Sequence, residues 1–279
     1  FLPFSRHIEQ RLEKECIDLH MITTFKEIFN YREMITSLVR KDLRGRYKGS
    51  VLGFLWTFIN PLLQLLVYNM VFSIILRAGV EKFYLYLFVA LIPWIFFSAA
   101  LTGGAVSVIS QKDLINKIYF PREVIPISYV TSCFVNMVLS FIVVIAVSLI
   151  SGVRPTLLAL LCLPIIMLVE YVLAIGMALI VSALTVYLRD LEYILGIISM
   201  AWMYATPICY PLSMVPDKYK NLFRLNPMTD IIGAYRAILY EGKVPELSTL
   251  WTSVVLGLVC MIAGFLIFGK LKKHFAEEL

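Results

Sequence analysis

Charge is the scarcest property of this sequence. Aspartate, glutamate, lysine and arginine make up 16% of the 279 residues, against about a quarter in ordinary soluble domains. Hydrophobic residues account for 60%, and the mean hydropathy is +0.83. A chain of this length and composition cannot cover its own surface with polar groups, which excludes a soluble globular domain. An integral membrane protein remains. The net charge of +6 then calls for no nucleic acid, because positive loops on the inner face of a membrane supply the reason for it.

Reactive chemistry is as scarce. The cysteines, Cys16, Cys133, Cys162, Cys209 and Cys260, form no CxxC pair, and three lie inside apolar runs. They read as small hydrophobes rather than as a disulfide framework or a metal site. His7, His20 and His274 are remote from one another. No paired-carboxylate motif, Ser–His–Asp pattern or Gly-rich phosphate loop is present. The stretch GFLIFGKL, Gly264 to Leu271, nearly spells a P-loop, but Leu271 stands where a magnesium-binding Ser or Thr is needed, and the segment closes an apolar run. The sequence therefore offers no recognisable catalytic, metal or nucleotide motif. Residues 1–20 are charged and do not resemble a signal peptide.

What is abundant is apolar sequence. A helix needs about 20 apolar residues to cross a bilayer, and six runs qualify: 51–76, 84–109, 124–150, 156–188, 191–212 and 247–269. The fourth is long enough to tilt or break. Residues 213–246 mix apolar patches with Pro216, Pro227 and Pro245. That is too broken for a span, and it predicts short re-entrant helices whose backbone is buried in protein. Lys and Arg gather before span one (Arg32, Arg40, Lys41, Arg44, Arg46, Lys48), after span two (Lys112, Lys117, Arg122) and after span six (Lys270, Lys272, Lys273). Those flanks predict both termini on the cytoplasmic side. The expected architecture is an all-α, multi-pass membrane protein: an extension over 1–22, an interface helix over 23–50, six transmembrane helices within 51–270, and a tail over 271–279.

Ahead of span one, Phe25, Ile28, Phe29, Ile35, Leu38, Val39 and Leu43 recur at three- and four-residue spacing. They predict an amphipathic helix in the membrane interface, basic towards its end. Gly45, Gly49 and Gly53 then predict a bend or close helix packing. In span one Trp56, Asn60, Gln64 and Tyr68 are spaced by four, and in span five Ser199, Met203, Thr206 and Tyr210 lie near one face. Each stripe either lines a polar path or hydrogen-bonds between helices. Glu170 is the one carboxylate deep in a span; it serves either a hydrogen bond or a proton relay. Between spans two and three, Leu114, Ile115, Ile118 and Tyr119 predict an apolar ridge on a short helix stopped by Pro121, suited to docking in a groove.

Three stretches carry a family resemblance. RKDLRGRYKGSVLGFLWTFINPLLQLLVY (40–68) resembles the entry to span one in the membrane subunits of ABC-2 type polysaccharide exporters, the permeases for O-antigen and wall teichoic acid. QKDLINKIYFPREVIPIS (111–128) is similar to the loop between their spans two and three. LFRLNPMTDIIGAYRAILYEG (222–242) is similar to their external segment. The likeness runs from about residue 23 onward.

The resemblance implies a bacterial cytoplasmic-membrane transporter of two copies of this chain and two copies of a soluble ATPase, which binds the ATP and magnesium. It implies a coupling helix at Lys112, Asp113, Leu114, Ile115, Asn116, Lys117, Ile118 and Tyr119. It implies a substrate glycan or teichoic acid carried on undecaprenyl diphosphate, travelling between spans one and five of the two subunits. Arg44, Arg46 and Lys48, at headgroup depth, would then attract the diphosphate. Arg224, Asn226, Pro227, Tyr235 and Arg236 fall in the external segment, where the arginines either position re-entrant helices or meet substrate phosphates. The competing readings are a permease for a drug or small lipid, and a membrane glycosyl- or phosphotransferase. The last needs clustered acidic or histidine residues at one membrane face, which the sequence lacks.

Overall fold

A computed structural model describes residues 26–71, 80–246 and 248–278. The extension over 1–22, Phe25 and the last residues of span one lie outside the described residues. Within them every regular element is a helix, and no strand occurs.

After a helical stretch at 26–30, α1 (Arg32–Tyr47) is the interface helix. It buries Val39 and half-buries Ile35, Leu38 and Leu43, whereas Phe29 is exposed. Gly45 lies inside α1, with open space where a Cβ would stand, so it neither interrupts the helix nor mediates close packing. The bend comes later. Gly49 (φ +82°) and Gly53 (φ +48°) adopt left-handed backbone, which glycine enters without steric cost. They turn the chain into α2 (Trp56–Asn69).

α3 (Phe83–Ser110) is the hub, buried along most of its length and packed by α2, by α5 (Val124–Ile150), by α6 (Leu157–Tyr187) and by α7 (Leu191–Tyr204). Between α3 and α5 lies the short α4 (Lys112–Lys117). α6 is one unbroken helix despite Pro164, started by the Thr156 hydroxyl, which accepts from the Ala159 amide at 3.2 Å. α10 (Trp251–Leu271) packs along α6 more extensively than any other pair of described helices. A Cβ at Gly264 would stand 2.6 Å from the Gly176 carbonyl oxygen, and one at Gly176 would stand 2.5 Å from the Cys260 carbonyl carbon. Only small residues allow helices to approach this closely. The stretch Gly264–Leu271 is thus continuous helix, and it forms no strand–loop–helix cradle for phosphate.

Among the described residues, four helices are long and apolar enough to cross a membrane: Phe83–Ser110, Val124–Ile150, Leu157–Tyr187 and Trp251–His274. α7, expected to run from 191 to 212, has 14 residues. At about 1.5 Å per residue it reaches about 21 Å, short of the roughly 30 Å hydrocarbon core. Pro207 and Pro211 follow it, and the chain there leaves helical form. It then builds α8 (Asp217–Arg224) and α9 (Pro227–Leu239). α9 is buried against α3, α6 and α10, which satisfies the condition under which a re-entrant helix can exist. A last turn, α11 (Phe275–Glu278), closes the described chain.

One end of the bundle gathers Ile28, Ile115, Phe120, Phe275 and the last turn of α6 into one apolar cluster. α8, α9 and the turns near Lys82 and Ser151 occupy the other end, where Lys82 Nζ donates to the Ser151 carbonyl at 2.8 Å.

Candidate functional site

α1 divides the three expected headgroup cations between two faces. Arg44 and Lys48 are exposed along a groove of about 1450 Å³ shared with Arg32, Arg40 and Lys41, with Glu33 as its one acid. Arg46 points the other way. Residues two apart on a helix lie about 200° apart around its axis, so Arg44 and Arg46 cannot grip one phosphate from a single face. Of the three expected headgroup cations, Arg44 and Lys48 thus share one groove and Arg46 faces another cavity.

Arg46 instead turns onto α5. Its Nη2 is 2.8 Å from Asp42 Oδ2, and its Nε donates to the same oxygen at 2.9 Å. Nη2 also reaches Ser132 Oγ and Cys133 Sγ, both at 3.3 Å, and the Ser132 hydroxyl donates to Asp42. Two cavities meet at this cluster. One, of about 250 Å³, is lined by Arg46, Trp56, Asn60, Asn136 and Ser140 among others. The second, of about 500 Å³, runs under α1 past Lys41, Asp42, Ser107 and Tyr129. The structure therefore brings the basic helix and the start of the span-one stripe to one place.

Within that stripe Trp56 and Asn60 are exposed, while Gln64 and Tyr68 are half-buried. Gln64 Nε2 donates to Asn60 Oδ1 at 3.4 Å. Sequence reasoning missed the facing residues on α5. The signal was there: Ser128, Ser132, Asn136 and Ser140 recur every four residues in span three.

The span-five stripe behaves differently. Ser199 is buried 2.7 Å from the Ser98 hydroxyl. Thr206 is fully buried and accepts from Asn226 Nδ2 at 2.8 Å. These two side chains bond between elements of the chain and face no open path within it. Met203 and Tyr210 are half-buried, and the Tyr210 hydroxyl donates to the Tyr204 carbonyl.

The Asn226–Pro227 pair opens α9. Asn226 Oδ1 caps the helix through the Met228 amide at 3.1 Å and also accepts from Trp202 Nε1 at 3.0 Å, while Pro227 takes the first helical position. Tyr235, fully buried, donates to Glu170 Oε2 at 2.8 Å. Glu170 Oε1 has no hydrogen-bond partner among the described residues. Arg236 donates to the carbonyls of Pro207 at 2.6 Å, Ile208 at 2.7 Å and Tyr86 at 3.3 Å, and it lies 3.5 Å from the centre of the Tyr86 ring. Those bonds hold the re-entrant segment and leave Arg236 no face for a substrate. Arg224 is exposed.

In the loop between α3 and α5 the expected four-residue ridge is split. α4 ends at Lys117, and Ile118 is already extended (φ −134°, ψ 135°), so residues 114 and 118 do not share a helical face. Leu114 and Ile115 turn into the chain's own apolar cluster, with Ile115 buried. Ile118 and Tyr119 stand out, 54% and 97% exposed, and Phe120 returns to the core. The apolar surface offered outward is a two-residue knuckle. Lys112, Asp113, Asn116 and Lys117 around it are exposed.

Residues 33–240 match the protein-family model described as ABC-2 type transporter. The chain is 36% identical over 261 residues to an O-antigen export system permease protein of Myxococcus xanthus, covering 93% of this chain and 100% of the relative. Two permease proteins of the same description from Klebsiella pneumoniae are 34% and 31% identical over 249 residues, each alignment covering 88% of this chain and 95% of the relative.

Proposed function

This chain belongs to the ABC-2 type transporter family, and from that premise we propose that it is the membrane permease subunit of an exporter for a cell-surface polysaccharide of the O-antigen type. The observation that carries the reading is the end-to-end likeness to O-antigen export permeases. It favours a polysaccharide over a drug or a small lipid, and a transport subunit over a transferase.

The chain crosses the cytoplasmic membrane six times with both termini inside, a topology favoured by the lysines and arginines around α1, α4 and the end of α10. Two copies assemble with two ATPase subunits, which hold ATP and magnesium. The Ile118–Tyr119 knuckle docks on the ATPase; its exposure between the buried Ile115 and Phe120 supports this. Arg44 and Lys48 meet the diphosphate of a lipid-linked polymer at the membrane surface. Arg46, Trp56 and Asn60 line the first pocket beyond it.

The test is deletion of the chain in its host, followed by reconstitution with an ABC ATPase. Loss of surface polymer with accumulation of the lipid-linked form inside, and ATP-driven export from the purified complex, are expected. A complex whose ATP hydrolysis answers to small amphiphiles and never to lipid-linked polymer overturns the reading. Ile118→Asp/Tyr119→Asp should weaken ATPase co-purification by roughly thirtyfold, about 2 kcal/mol, with insertion unchanged.

A further inference from the structure

The end of the bundle that carries the knuckle also holds a set of contacts that the reading above leaves unused. Glu123, the N-cap of α5, is 1% exposed, and its Oε1 accepts from Lys272 Nζ at 2.6 Å. Its Oε2 has no hydrogen-bond partner among the described residues. Next to it, Arg122 donates to the Lys272 carbonyl and lies 5.8 Å from the Phe275 ring centre. Phe275 is fully buried, with Phe268 at 5.4 Å and Tyr187 at 6.2 Å between ring centres. The Tyr187 hydroxyl donates to the Leu271 carbonyl at 2.8 Å.

The clasp joins segments 149 and 150 residues apart. Adhesion alone would not select such chemistry. The neighbouring contacts are apolar, and a buried carboxylate is costly unless paired. What an ion pair with a directed hydrogen bond adds is a fixed register. Its position gives that register a purpose. Arg122 and Glu123 come three and four residues after Tyr119, and the buried Ile115 and Phe120 flank the knuckle on either side. Lys272 directly follows α10, which the close glycine contact binds to α6. Without the clasp, the knuckle's buried flanks Ile115 and Phe120 touch α6 and α10 only through a non-directional apolar cluster, which can slide under load. With it, a directed ion pair and hydrogen bond tie the start of α5 to the end of α10, so the same push moves α10 and α6 in register.

We propose that this clasp is the link that carries displacement of the knuckle into the α6–α10 pair, making Glu123 and Lys272 positioning residues for transport. The proposal rests on the knuckle being the ATPase-facing surface. Lys272→Met keeps the aliphatic stem and removes the cation. In the purified full chain, amide exchange over Ile118–Ile125 and the last turn of α10 should speed up by about tenfold, with the centre of α3 and α9 unchanged. In the complex with its ATPase, hydrolysis should persist while polymer exported per ATP falls about fivefold or more. Lys272→Arg, which keeps the charge, should restore both. Should Lys272→Met not insert, Phe275→Leu loosens the same clasp and gives the same two readouts.

Unchanged exchange around the knuckle overturns the proposal. So does a proportional loss of hydrolysis and export, which is the mark of a merely structural contact. Failure of the wild-type complex to export any polymer overturns the functional reading instead, and the exchange measurement still decides whether the clasp holds the knuckle.

Discussion

Arg46 and Arg236 lie at opposite ends of the bundle and spend the five donors of a guanidinium in different ways. Arg236, 7% exposed, gives its bonds to the backbone carbonyls of Tyr86, Pro207 and Ile208. Two of those carbonyls belong to the non-helical segment after α7, where prolines deny the chain its own helical partners. Arg46, with a side chain 30% exposed, gives its bonds to the side chains of Asp42, Ser132 and Cys133 beside two cavities. An arginine that replaces missing backbone bonds is part of the scaffold. An arginine that holds side chains at a cavity rim can exchange those partners for a ligand.

That contrast breaks most sharply at Arg236. Arg236→Met strands buried carbonyls at about 1–3 kcal/mol each, so a loss of about 3 kcal/mol or more is expected, read as a collapse in inserted protein and in thermal stability. Arg236→Lys should recover little, because one ammonium cannot reproduce the planar fork. A stable, well-inserted Arg236→Met chain would remove Arg236 from the scaffold.

Arg46→Gln should do less to the fold, about 1 kcal/mol, since Asp42 retains access to water. Export should fall further than that stability loss explains. Equal stability losses at the two arginines would erase the distinction drawn between them.

The smallest effects are expected at the exposed cations Arg44 and Lys48, whose side chains make no hydrogen bond or ion pair with the described residues. Arg44→Gln and Lys48→Gln should each weaken binding to vesicles bearing a diphosphate lipid by about fivefold, about 1 kcal/mol per cation, with stability unchanged. If Arg46→Gln weakens vesicle binding as much as either does, Arg46 belongs with the surface pair after all.

Several parts of this site were legible in the chain. The NP pair announces a helix start, because asparagine caps and proline suits the first turn. The interface helix follows from apolar spacing, and the bend before α2 from Gly49 and Gly53. The polar stripe on span three has the same spacing of four, but a serine in a helix can also bond the carbonyl four residues back, as Ser128 and Ser140 do, so spacing alone does not mark a cavity wall. Other parts were not legible. Leu114 and Ile118 look like one ridge until the helix is known to stop at Lys117. Ser199 and Thr206 look like a path until their partners Ser98 and Asn226 are in place.

Sequence by itself determined that this is a helical membrane protein, which runs are apolar and where the positive charge gathers. Those are local properties: transfer of apolar side chains and the reach of a helix depend on composition and spacing alone. Tertiary structure decided which polar side chains are consumed inside the chain and which remain on offer. It paired Glu123 with Lys272 across 149 positions, set Arg236 on carbonyls distant in sequence, and turned Arg46 away from Arg44. Hydrogen bonds and ion pairs act over about 3 Å with strict direction, so their partners become fixed only when distant segments pack.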